Sequence, residues 1–170
     1  VEVLEGMLED SLPELEGDLE GLLGLCKANF RRVSEVTCLV DADQVNYSSE
    51  RLREQKAHFE KAANSDHSLA IAIGNHSLGV LAFLESDAGT AVDHLSSAYS
   101  AAIRSAQTNA NGAFIGQIQL TLALAIVVGA DEPRFHQASD LLGSVNISKL
   151  PIPEWIATRM IDNIVLISDE

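Results

Sequence analysis

The chain has 170 residues, the length of one domain with room for a proper core. It is 46% hydrophobic but only 5% aromatic, so alanine, leucine, isoleucine and valine must do the packing, which suits close-packed helices better than sandwiches or barrels. A net charge of −14, with eight acidic residues ahead of Lys27, the first basic one, repels phosphate and argues against nucleic acid or an anionic membrane as a direct partner.

Punctuation divides the chain into helices. Val3, Leu4, Met7 and Leu8 fall at helical spacing over 1–11, and Leu12-Pro13 followed by Gly17-Asp18 is expected to interrupt them. A longer helix over 19–39 carries a stripe of Leu22, Leu23, Cys26, Phe30 and Val33. Residues 41–47 read as a polar loop, after which Ser48 or Ser49 caps a helix bearing Leu52, Ala57, Phe59 and Ala62. Asn64-Ser65-Asp66 forms a turn before a helix over 67–84. Glu85-Ser86-Asp87 turns the chain into the next helix, 88–106, and 108–112 breaks it again. The segment 113–128 is apolar on nearly every side and should be buried on both flanks. A shorter helix follows over 134–142. Pro151 and Pro153 introduce a last one over 154–167, with Trp155 expected to dock it or to anchor a partner.

Long helices start near residues 19, 67 and 111, about 45 residues apart, and each is answered by a second after a short connection. Recurrence of this kind predicts an all-α fold: a right-handed α-solenoid of antiparallel helix pairs over 1–150, closed by a capping helix over 151–170, in a single domain spanning 1–170.

Leu78, Gly79, Ala82, Asp87, Ala91 and Ala98 stand at the separations of the tetratricopeptide pattern, with His76, Phe83 and Leu95 at its tyrosine-like positions. Over about 30 residues the chain resembles that family. A second copy over 123–138 needs an insertion at 129–132, and the spacing exceeds the standard repeat of about 34 residues. The segment Ala138 to Gly143 with its proline-introduced helix is similar to the end of the C-terminal helical regions of large bacterial transcriptional regulators and signalling ATPases. The resemblance implies a scaffold that senses a protein or peptide within a larger regulatory chain, with no catalytic activity of its own. Ile73, His76, Val80, Phe83 and Leu84 are then the inner, partner-binding positions, continued by Gln119, Ala123 and Ile126. Ser77 is a further inner position, and no lysine or arginine is among these residues, which excludes a carboxylate clamp for chaperone tails.

Other constellations carry little chemistry. His58, His67, His76 and His94 are spaced by nine, nine and eighteen residues, and nine residues turn a helix through about 900°, so neighbours face opposite ways. Asp41-Ala42-Asp43 begins a calcium-like loop, but Val45, Asn46 and Leu52 stand where an oxygen donor, glycine and glutamate are needed. Asp93-His94 beside Ser96 and Ser97 lacks the geometry of a triad. No metal and no cofactor is expected. Cys26 and Cys38 fit no redox or metal spacing and are expected as free buried thiols. Asn46, Asn75 and Asn146 head formal glycosylation sequons that carry little weight against a cytoplasmic location. No signal peptide or spanning segment is visible, and a start at Val1 is expected of a fragment or processed product. The acidic N-terminus is either a solvated face or the contact for a basic partner segment. Two rival functions remain: a helical small-molecule sensor with a cavity near 113–128, and an oligomerisation module burying Val3, Leu4, Met7 and Leu8 across a two-fold axis.

Overall fold

The computed structural model describes residues 2–9, 13–28, 49–106, 112–129, 135–150, 158 and 161–162. All regular structure among them is helical. Helix α1 spans Glu2–Glu9 and α2 spans Pro13–Ala28. Residues 49–54 are helical and turn at Gln55 into α3, Lys56–Ala63. Then come α4, Ser68–Leu84; α5, Ala88–Ala106; α6, Gly112–Gly129; and α7, Phe135–Gly143, followed by a 3-10 turn at Ile147–Lys149. The cysteine, loop and sequon readings at 38–47 and the reading of Trp155 lie outside the described residues, as does most of the expected last helix.

Helix α2 starts earlier than its stripe predicted and runs unbroken through Gly17-Asp18. Proline is tolerated at the first helical position, where its missing N–H has no intrahelical acceptor anyway. Gly17 marks a contact in place of a break. A Cβ there would sit 2.7 Å from the Ser65 hydroxyl oxygen, while one at Gly21 would meet Ile73 Cγ2 at 3.1 Å and one at Gly24 would meet Phe59 Cε1 at 2.7 Å. Three glycines at helical spacing therefore give α2 a flat face that lies against α3 and the start of α4.

The α3–α4 crossing is tighter still, because a Cβ on Gly74 would lie 2.5 Å from the Phe59 carbonyl oxygen and would also strike the Ala63 backbone nitrogen. Helices α4 and α5 form a hairpin through residues 85–87, where Ser86 takes a left-handed φ of 64° and Asp87 Oδ1 accepts the Thr90 N–H at 3.1 Å. That hydrogen bond holds the Asp87 carboxyl below its ordinary range. At the crossing, a Cβ on Gly79 would meet Leu95 Cγ at 2.6 Å and the Ala91 carbonyl at 3.3 Å. Ala82, Ala91 and Ala98 are all buried there.

From α2 onward each helix packs chiefly on its sequence neighbours, with α2 also reaching α4 and α6 touching it lightly. Helix α6 is covered by α5 on one side and α7 on the other, as its uninterrupted apolarity requires. Leu120, Ala123, Ile126 and Val127 join Leu95, Ala138, Leu141 and Leu142 in one core cluster, and Leu52, Phe59, Leu78, Val80 and Leu81 form another.

These approaches make substitution at the glycines unequal. Gly74→Ala places a methyl against backbone that cannot rotate away, and a loss of about 1–3 kcal/mol is expected. Gly6→Ala on α1 meets nothing within 4 Å, and the better helix propensity of alanine is expected to gain about 0.5–1 kcal/mol. Urea unfolding followed by far-UV circular dichroism measures both; equal midpoints would contradict the packing described.

Candidate functional site

Ile73, His76, Val80, Gln119, Ala123 and Ile126 are buried, and Phe83 and Leu84 are half-buried. Helix α4 is packed between α3 and α5, and α6 lies against α5. The eight residues also separate. Phe83, Ala123 and Ile126 belong to the core on the α6–α7 side, whereas Val80 and Leu84 belong to the cluster around Phe59. Gln119 donates to the Ser144 hydroxyl at 2.6 Å, tying α6 to the turn after α7.

His58, His67, His76 and His94 serve four different contacts. His94 Nδ1 meets Asn75 Oδ1 at 2.9 Å across the α4–α5 hairpin, while Asp93 beside it is exposed. The amide of Asn75 also donates to the Ile71 carbonyl, so this sequon is committed to the interior of the fold. His76 stands edge-on to the Phe114 ring with centroids 5.6 Å apart and planes at 89°. Full burial holds its imidazole neutral, with the pKa pushed down to about 3. His58 and His67 instead reach carboxylates of α2.

Those two contacts border the one polar assembly that the glycine face creates. With α2 drawn against α3, the Glu20 carboxylate is only 1% exposed, yet it sits at the floor of an open cleft. Its Oε1 accepts from Lys61 Nζ at 2.6 Å, and its Oε2 bonds His58 Nδ1. Burial alone would raise the Glu20 pKa, but the bonds and charges of Lys61 and His58 outweigh it and hold the group below the ordinary carboxylate range. Glu20 in turn holds the Lys61 ammonium above its usual range. Two residues before Glu20 on α2, Asp18 lies 2.9 Å from His67 Nδ1 at the entrance to α4. The cleft has a volume of about 590 Å³ and is bordered by Glu16, Gly17, Glu20, Lys61, Asn64, Ser65, Asp66 and His67. Among the described residues no group of three or more histidine, cysteine or acidic side chains is placed to hold a metal ion. No described helix is long and apolar enough to cross a membrane. Cys26, expected as a buried thiol, is free and exposed, because it lies on the outer side of α2.

Gly17, expected to interrupt a helix, instead lies against Ser65 and borders this cleft. The spacing of Gly17, Gly21 and Gly24 is the signal that a helix lies flat against neighbours, and Glu20 belongs to that side of α2. Compared with protein-family models, curated proteins and solved structures, the chain matches none of them significantly.

The neutral state of His76 sets a pH dependence. Its folded pKa lies below the value of 6.5 for the unfolded chain, so its contribution is complete above pH 6.5 and is lost as pH falls toward about 3. Between about pH 7 and about pH 5 the wild-type chain is expected to lose about 2 kcal/mol relative to His76→Leu. Urea unfolding at each pH reads this difference, and a difference that does not change with pH would show that the imidazole is not held neutral.

Proposed function

We propose that the chain is an interaction scaffold, a right-handed solenoid of tetratricopeptide-like helix pairs that binds a basic segment of another polypeptide and catalyses nothing itself. The observation that carries this reading is the acidic cleft between α2 and the α3–α4 turn. It is open, about 590 Å³ in volume, and lined by Glu16, Glu20 and Asp66 against a single lysine. The seating of the Lys61 ammonium, at the end of a long stem, on the buried Glu20 carboxylate supports a preference for basic side chains. Glu16 and Asp66 are exposed, and their carboxylates can take the arginine or lysine side chains of an extended peptide.

Two features of the fold support the repeat reading. The helices pack on their sequence neighbours, as stacked helix pairs do. The α4–α5 hairpin crosses where Gly79, Ala91 and Ala98 match the tetratricopeptide pattern. Such a scaffold, working within a larger regulatory protein or complex in the cytoplasm, needs no cofactor. The small-molecule reading is less well supported, since this cleft is polar at its rim and lies at α2, away from the apolar α6.

A fluorescently labelled oligo-arginine peptide tests the proposal. Binding read by anisotropy is expected to weaken about tenfold in the double variant Glu16→Lys, Asp66→Lys, the order expected for reversing two partly screened charges. Unchanged affinity would remove the cleft from consideration.

A further inference from the structure

The large exposed hydrophobic side chains of the described residues are unevenly placed. Val3 and Met7 on α1 and Leu15 and Leu22 on α2 account for all of them except Ile103 on α5, with exposure from 43% at Leu22 to 76% at Val3. Val3 and Met7 are four residues apart, and Leu15 and Leu22 are seven apart, so each pair forms a row along its helix. The row on α2 is turned away from Gly17, Gly21 and Gly24, the side that meets α3 and α4. Helix α1 lies beside α2, fixed by Lys27 Nζ on Glu5 at 2.7 Å. Four large apolar side chains thus face solvent on two helices that pack against each other.

Charge decides what covers them. Glu2 and Glu9 are exposed beside Val3 and Met7 on α1. The sole basic residue of α1 and α2, Lys27, is committed to Glu5. A second copy of this chain would bring two such acidic rims together around the apolar rows, at a net charge of −14 each. A helix with an apolar stripe flanked by lysine or arginine satisfies both the rows and the rim. We infer that the outer face of α1–α2 is a docking surface for a basic amphipathic helix of a partner protein. This rests on the scaffold reading and adds a second surface to it, on a different side of α2 from the cleft.

Three synthetic peptides of about 15 residues test it: a Leu–Lys amphipathic helix, a Leu–Glu counterpart, and a Ser–Lys counterpart of equal charge. Titrated into the full chain by calorimetry, the Leu–Lys peptide is expected to bind at least about tenfold more tightly than the Ser–Lys peptide, with no measurable Leu–Glu binding. The double variant Met7→Ser, Leu22→Ser, which leaves charge unchanged, is expected to lose that advantage, whereas Ile103→Ser keeps it. Equal binding of Leu–Lys and Ser–Lys peptides would overturn the proposal, since charge alone would then explain it. So would a wild-type dimer in light scattering that Met7→Ser, Leu22→Ser dissolves, because a second copy would be the occupant. Leu–Lys binding abolished by Asp66→Lys but untouched by Met7→Ser, Leu22→Ser would overturn the face and leave the scaffold reading standing. Binding of none of the peptides would remove both.

Discussion

Everything else in this molecule depends on how closely its helix backbones approach one another at glycine. At Gly74 the neighbour is backbone, with the Phe59 carbonyl 2.5 Å from where a Cβ would be. At Gly79 it is Leu95 and the Ala91 carbonyl. At these crossings a glycine hydrogen on one helix admits the other helix's backbone or a large side chain, and Ala62, Ala91, Ala98 and Ala101 on the same helices are fully buried. A chain so poor in aromatic residues gains its density from proximity, since small side chains bring more atoms into contact only when the helices themselves come closer.

That same closeness fills the interior with side chains and leaves most of the described polar and charged groups at the surface. Most of the positions expected to meet a partner are buried, and the histidine among them is held neutral against an aromatic edge. On the other side of the chain, the glycine face of α2 carries a carboxylate down with it. Glu20 is buried because Gly17, Gly21 and Gly24 let α2 lie flat, and a buried carboxylate is tolerable only with partners. His58 and Lys61 supply them from α3. An acidic cleft on one side of α2 and acidic-rimmed apolar rows on the other both follow from how that one helix is seated.

Helix class and most boundaries were legible because they rest on local signals. Asp87 caps α5, the turn at 85–87 separates two long apolar periods, and α4 and α5 begin and end within a residue of their expected positions. Gly79, Ala91 and Ala98 announced a close crossing because the spacing of small residues survives as a one-dimensional pattern. Other features are set by tertiary context. Gly17 looks the same in a sequence whether it breaks a helix or admits a neighbour, and only Ser65, 48 residues away, decides which. The apolar stripe of α4 was similarly two-sided: nothing in His76, Val80 or Phe83 themselves says whether the face they form meets a partner or the next helix. Cys26 was misplaced for the reverse reason, being apolar in character yet carried on the side of α2 that no described helix covers.

Hydrogen–deuterium exchange of the full chain, with and without a basic amphipathic peptide, tests most directly the claim that partners meet the outside of α2 and never the helix interior. Added protection confined to α1, α2 and the 64–67 turn is the result this account predicts. Added protection centred on α4 and α6, around His76 and Ala123, would contradict it, because those residues could be reached only if the close-packed helices parted.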